Sequence, residues 1–253
     1  MAKVDISLRR IFVRRKKFPT LRITYDKTSK SRPAWIKVDG LPKNTCFLAL
    51  MINGKREIYR IWITSKYSLF LPIGATKIEL EKFYNEFSRA YDKFIIKNNL
   101  TAAKFLVSKT KVPKTAKVLD LGAGTGIASE VFAKAGYKNI TLVDFSAGML
   151  AKARKKPALK GCRFIEANLK KLNLGEKFDL IISNYCLADE GYFDEGEMPA
   201  IWEMVARHMT SGAELSIMGY YYKPPSRFFK KLKSGTHLIR KNYRERYYIG
   251  VRR

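Results

Sequence analysis

One stretch, "VLDLGAGTG" at Val118 to Gly126, concentrates the residue types that could do chemistry. An apolar run leads to Asp120, and Gly122, Gly124 and Gly126 alternate behind it. A strand that ends in a glycine-rich turn and opens a helix brings backbone N–H groups and a helix N-terminus close to a ligand. Side chains at those three positions would block the approach or strain the backbone. A nucleotide-like cofactor is therefore expected. The dinucleotide fingerprint needs a third glycine where Ile127 stands, and the phosphate loop needs Lys-Ser/Thr where Ile127-Ala128 stand. An acid so close to the glycines also repels a pyrophosphate. Asp120 suits a cationic ligand.

The elements that must position these residues alternate along the chain. "AKVLDL" reads as a buried strand and "GIASEVFAKAG" as a helix ending on Gly136. "NITLVD" is the next strand, and "SAGMLAKARKK" a helix capped by Ser146 and stopped by Pro157. "CRFIEA" and "FDLIISN" are strands three and four, "MPAIWEMVARHM" a helix and "AELSIMGYYY" strand five. "THLIRKNYRERYYIGVRR" reads as two final strands around a turn. Upstream, Leu80, Phe83, Phe87, Tyr91 and Phe94 share one face of a helix over "IELEKFYNEFSRAYDKFII", and Leu100 to Thr110 reads as a second, shorter helix. Such alternation predicts an α/β fold, a Rossmann-like seven-stranded, mostly parallel sheet with an antiparallel C-terminal hairpin. Before it, residues 1–75 read as a small, mostly β accessory domain. Its strand runs are "LRRIFV", "TLRITY", "AWIKV", "CFLALMI" and "EIYRIWI", with a hairpin signal at Asn53-Gly54. The second domain is residues 76–253.

The residues then carry a resemblance. "VLDLGAGTG" resembles motif I of the class I S-adenosylmethionine-dependent methyltransferases, in the type 11/25 group. "LVDFSAGMLAKAR" resembles the next segment of that superfamily, with Asp144 placed 24 residues after Asp120. "CRFIEANLKKL" and "FDLIISNYCL" match its third and fourth motifs in position, and "FYNEFSRAYDKF" is similar to an N-terminal helix in which an aromatic residue covers the cofactor. The resemblance spans roughly residues 78–253 and implies S-adenosyl-L-methionine as cofactor. By it, Asp120 and the backbone of Gly122, Ala123, Gly124 and Gly126 hold the methionine moiety, and Asp144 accepts from both ribose hydroxyls. Phe145 and Met149 pack on the adenine, with Asn168 (where the family commonly has aspartate) and Leu169 beside it. Tyr91 is the covering aromatic. Asn184 and Tyr185 are the catalytic candidates on the acceptor side, and Asn184 also counts among the cofactor-binding residues.

Methyl transfer from a sulfonium is an in-line displacement with an activated leaving group, so alignment and water exclusion matter more than a dedicated acid or base. His208 and His237 read as structural or solvent-facing. Cys186 follows Tyr185 instead of the proline that precedes a cytosine-C5 nucleophile, which excludes covalent catalysis. "SNYC" lacks the N/D-P-P-Y/F signature of base-amine methylation, which lowers that acceptor class.

Charge bears on the acceptor. The formal net charge is +28, and residues 1–74 carry 17 Lys or Arg against four acids. The C-terminal segment interleaves Tyr and Phe with Lys and Arg, a mixture that binds phosphates and stacks bases. RNA is the expected acceptor, bound through the basic N-terminal domain and this segment. Small-molecule, amine or protein acceptors remain alternatives, as does a non-catalytic nucleic-acid-binding scaffold. "LADEGYFDEGEMPAIWE" supplies six acids, Asp189, Glu190, Asp194, Glu195, Glu197 and Glu203, without Lys or Arg. It could attract a cationic acceptor or serve as a solvated loop, and it lacks a metal-ligand spacing, so no metal is expected. Three well-separated cysteines fit a reducing compartment. No secretory h-region or membrane-length apolar run is present, so the expected location is the cytosol, off any membrane. The sequence sets no oligomeric state.

Overall fold

The computed structural model describes residues 77–89, 91–187, 193, 196–219, 223–241 and 243–253, with the strands at 4–5, 22–25, 36–39, 47–52, 55–63 and 68–72. The chain divides into two compact units, Met1–Phe83 and Tyr84–Arg253.

The first unit is built of strands. β1 (Val4–Asp5), β4 (Phe47–Ile52), β5 (Lys55–Ile63) and β6 (Ser68–Pro72) form one antiparallel sheet in that order, and β2 (Arg22–Tyr25) pairs with β3 (Ile36–Asp39) in another. Ile52 pairs with Lys55, which leaves a two-residue connection at the Asn-Gly signal. The run "LRRIFV" lies outside the described residues.

Helix α1 (Lys77–Phe87) is followed by α2 (Tyr91–Lys109). The break therefore falls after Phe87, and α2 runs unbroken through Asn98 and Asn99, where the sequence predicts a stop between two helices. At the break, the Ser88 hydroxyl donates to the Asn85 carbonyl at 2.7 Å, capturing an oxygen that helix continuation would use. The core elements follow: β7 (Val118–Leu121), α3 (Ile127–Lys134), β8 (Ile140–Asp144), α4 (Ala147–Ala153), β9 (Arg163–Glu166), β10 (Phe178–Asn184), α5 (Met198–Arg207), β11 (Met209–Met218), β12 (Phe229–Arg240) and β13 (Tyr243–Arg252).

The seven strands stand in the order β12-β13-β11-β10-β7-β8-β9. β9, β8, β7, β10 and β11 are parallel, β13 runs antiparallel to β11, and β12 returns antiparallel to β13. β7 and β8 are buried at every position, as expected for strands covered on both faces. Alternate residues feed two cores. Leu119, Leu121, Ile181, Leu215 and Ile217 pack with Trp202 and Val205 of α5. Val118, Leu142, Leu180 and Ile182 pack with Leu106 of α2, Phe132 of α3 and Leu150 of α4. Chain order reverses between β7 and β10, so the loops leaving the carboxyl ends of these two strands diverge and open a crevice.

Candidate functional site

The crevice is lined by Tyr91, Asn99, Asp120, Gly122, Ala123, Thr125, Ile127, Ala128 and Asn184. Asp120, at 1% exposure, sits at its base. The Ser129 hydroxyl donates to Asp120 Oδ2 at 2.6 Å, while Oδ1 has no partner among the described residues. Burial pushes this carboxyl up to about 7, and the nearby charge of Asp144 adds to the rise against the Ser129 bond.

Gly122, Gly124 and Gly126 all have left-handed backbone, with φ of 68°, 56° and 75°. A Cβ on Gly122 would fall 2.2 Å from the Cys186 sulfur, and one on Gly126 would fall 2.7 Å from Leu159. Position 124 opens onto free space. Four of the five backbone donors of the turn are committed internally, contrary to the expected ligand-facing array. Gly122 and Ala123 donate to the Val143 carbonyl, Gly126 donates to Ala123, and Gly124 donates to Asp144 Oδ2 at 2.7 Å. Such a turn offers close approach but little to a phosphate. The acid at its base reinforces that selectivity.

Asp144 also accepts from the Ser146 N–H at 2.9 Å through Oδ1. Burial raises its carboxyl to about 6, against the pull of these backbone bonds. Ser146 is in turn held by Asn85, whose Oδ1 accepts from the Ser146 hydroxyl at 2.7 Å and the Gly148 N–H at 2.9 Å. Glycine at 148 allows this contact, since a Cβ there would stand 2.9 Å from the Asn85 carbonyl oxygen.

Across the crevice, the Asn184 amide donates to the Asn99 carbonyl at 3.2 Å, and the Asn99 amide reaches the Tyr91 hydroxyl at 3.4 Å. Among the described residues, the side-chain oxygens of both asparagines have no partner. Tyr185 follows with φ of 69°, and its buried hydroxyl is likewise unpartnered among the described residues. Burial raises the Tyr91 and Tyr185 phenols well above the usual range. Asp92, beside Tyr91, accepts from the Thr125 hydroxyl and faces the Lys156 ammonium at 3.5 Å, tying the start of α2 to the glycine turn.

Residues 118–212 match the family described as "Methyltransferase domain". Among relatives, 112 residues are 32% identical to a malonyl-[acyl-carrier protein] O-methyltransferase of Bacillus cereus, covering 43% of this chain and 42% of that protein. Another 158-residue match is 29% identical to the ribosomal RNA small subunit methyltransferase C of Escherichia coli, covering 58% and 45%. The matches thus span less than half of either relative. A chain from the complex of the Haloferax volcanii Trm112 methyltransferase activator with a methyltransferase superposes at a TM-score of 0.57. That superposition is 14% identical, covers 68% of this chain and 96% of that one, and establishes the fold.

The remaining predicted residues of the methyltransferase domain are placed as follows. Phe145 is half-buried and edge-on to Tyr84, with ring centroids 5.9 Å apart. Met149 and Leu169 are buried, and Leu169 belongs to the core on the α5 side. Asn168 caps the short 3-10 helix Leu169–Lys171, accepting from the Lys170 N–H at 3.1 Å. None of these four, nor Asp144, lines the crevice, whereas Tyr91, Asp120, Gly122, Ala123 and Asn184 do.

His208 is structural: Nε2 accepts from the Leu174 N–H at 3.0 Å and Nδ1 lies 2.8 Å from the Met204 carbonyl. His237 stacks on Phe105 at 4.0 Å. Of the acidic segment, Asp189, Glu190, Asp194 and Glu195 lie outside the described residues, Glu197 pairs with Lys170, and Glu203 is exposed. No group of ligating side chains suited to a metal occurs among the described residues. No described helix is long and apolar enough to cross a membrane.

Sequence reading missed Asn85, Asn99, Thr125 and Ser129. Asn85 and Asn99 carried a signal, each an asparagine inside a helix where it is intrinsically disfavoured.

Proposed function

We propose that this chain transfers a methyl group from S-adenosylmethionine to RNA. The observation that carries the cofactor half is the Oδ1 of buried Asp120, unpartnered among the described residues, in a crevice whose turn commits four of its five backbone donors internally. A desolvated carboxylate without a cation is costly, and an ammonium group answers it. The residues present therefore fit S-adenosylmethionine. When bound, it supplies a methyl group already activated on a sulfonium.

Asp120 would hold the ammonium and, held by Ser129, fix its direction. Asp144, positioned by Gly124 and Ser146, would take the ribose hydroxyls. Phe145 and Met149 border the adenine side, and Tyr91 covers the opening. Ile127 and Ala128 line the crevice with apolar surface and exclude water. Alignment of this kind is most of what the displacement requires.

The RNA half is supported by the C-terminal hairpin. Residues 223–253 contain eleven Lys or Arg and one acid, Glu245. Lys230, Lys231, Lys233, Arg244 and Arg246 are exposed and form no ion pair among the described residues. Solvated cations in a row favour a polyanion through counterion release. The partial match to a ribosomal RNA methyltransferase agrees with this acceptor.

Calorimetry with S-adenosylmethionine, followed by labelled transfer into an extract separated into RNA, protein and small-molecule fractions, tests both halves. The expected result is saturable binding and label in RNA. Absence of binding sinks the cofactor half, and label confined to another fraction sinks the RNA half.

A further inference from the structure

The cations of the β12–β13 hairpin stand at two different heights relative to the crevice, and the strand register fixes both. Asn184, on the crevice wall, pairs with Met218, Met218 with Tyr247, and Tyr247 with Gly235, so this row lies level across four strands. Lys230, Lys231 and Lys233 fall on rows that end at Leu180, Ile181 and Ile182, in the buried middle of β10. At about 3.3 Å per residue, these lysines sit roughly 7–13 Å below the crevice wall. Past Gly235 the hairpin continues through residues 236–240 and 243–246, beyond the last residues of β10 and β11. That extension rises about 16 Å on the side where the crevice opens.

One cation of the extension is held in place. Arg240 pairs with Tyr243 and lies over its ring, 5.4 Å from the centroid. The register slips between Leu238 and Arg240, and a slip of this kind re-aims the side chain that follows it. Tyr243 is pinned from its other end, where its hydroxyl donates to Glu245 at 2.6 Å. Tyr243 also packs on the same core as Tyr185, the residue directly after Asn184. Tyr185 has left-handed backbone, which a tyrosine keeps only where its surroundings hold it. Burial, Tyr243 and Glu245 raise the Tyr185 phenol, and the Arg240 charge pulls it down, so that charge is felt beside the crevice. Arg240 itself is exposed and forms no ion pair among the described residues.

We infer that Arg240 is a substrate-positioning residue that grips the phosphodiester beside the nucleotide being methylated, whereas Lys230, Lys231 and Lys233 hold the RNA at a distance from the chemistry. This rests on the RNA reading above. A guanidinium presents a planar fork that takes two phosphate oxygens in one geometry, while an ammonium is a point charge that accepts many. Stacking on a pinned ring leaves Arg240 less rotamer freedom to lose when it binds, so its grip is directional. A directional contact beside the crevice serves alignment of donor and acceptor. Solvated lysines set well below it serve affinity.

The test measures initial rates of methyl transfer from S-adenosylmethionine into total RNA as the RNA concentration is varied, using the full chain. Melting temperature and S-adenosylhomocysteine affinity check that each variant is folded. Arg240→Ala should lower kcat about tenfold or more, with KM for RNA changed less than about threefold. Lys230→Glu, Lys231→Glu and Lys233→Glu together should show the opposite partition, raising KM about tenfold or more and lowering kcat far less. Arg240→Lys, which keeps the charge and loses the fork, should recover only part of the lost kcat. A loss confined to KM in Arg240→Ala, or full recovery of kcat in Arg240→Lys, overturns the inference, because Arg240 would then be one more solvated charge. Unchanged kcat and KM in Arg240→Ala overturn it as well. Label that enters protein or small molecules and never RNA overturns the RNA reading itself, and this inference with it.

Discussion

At the crevice, Asp120 and Asp144 are withdrawn from water at neighbouring strand ends, whereas on the β12–β13 hairpin lysines and arginines remain solvated. The two regions use charge in different currencies. A buried carboxylate is strong because nothing screens it, and a single one can select a small cation. An exposed lysine is screened within roughly 10 Å at moderate salt, so selectivity there must come from many weak contacts. A chain of net charge +28 can therefore hold a cationic cofactor at one place and a polyanion at another.

The strongest way to break this comparison is Asp120→Asn. Removing one partner of a buried charge pair costs several kcal/mol, so S-adenosylmethionine affinity should fall about 100-fold or more by calorimetry. At pH 8 the same variant, without ligand, should melt at a higher temperature than the parent protein, because it no longer buries an unanswered charge. A fall in both quantities would show that Asp120 merely holds the turn together.

Next in size is the pH dependence. Folded Asp120 keeps its proton to about pH 7, while an unfolded aspartate releases its own near 4. The folded state binds more protons across that window, so this group's contribution to stability declines as pH rises from about 4 to 7. Asp144, raised to about 6, acts in the same direction. Cation binding runs oppositely. Below about pH 7 the affinity for S-adenosylmethionine should fall by up to about tenfold per pH unit, since Asp120 must release a proton first. Melting scans of ligand-free protein and calorimetry across the same pH series read the two trends, and parallel trends would refute the assignment.

On the hairpin, Lys230, Lys231 and Lys233 changed together to Glu should weaken RNA binding about tenfold or more at low salt. The slope of log affinity against log salt should flatten by about 2, at roughly 0.7 per lost phosphate contact on a single strand. S-adenosylmethionine binding should not change. The smallest effect is expected from Asn85→Ala, which removes acceptance from Ser146 and Gly148. It should cost about 1–3 kcal/mol of stability by denaturant titration and weaken cofactor binding several-fold through Asp144.

The parallel half of the fold was legible because β7, β8 and β10 are apolar runs set off by Gly and Pro, with few competing readings. Two elements were not. β12 is exposed on both faces for most of its length, so no period of two marks it, and only the part from Thr236 onward was read as strand. The α1–α2 break hides beneath an apolar stripe that runs straight across it, because the Ser88 side-chain bond is invisible to periodicity. At the site, Asp120 and Asn184 were found because they sit beside recognisable strand ends. Asn85 and Thr125 act through partners 61 and 33 residues away, and no local pattern encodes such pairs. The internal commitment of the turn's N–H groups was also hidden, since Val143 competes for them only once β8 lies alongside β7.

β12 is the outermost strand of its sheet, paired only with β13, and it carries Leu232 at 53% and Leu238 at 49% exposure. A long ribbon end of that kind invites a second molecule to add its own ribbon, and like charges spaced along it keep copies apart. A nucleic acid that cancels those charges therefore also removes the guard. Crowding of protein along one strand of RNA would then bring unguarded ribbons together, and self-association should rise with occupancy.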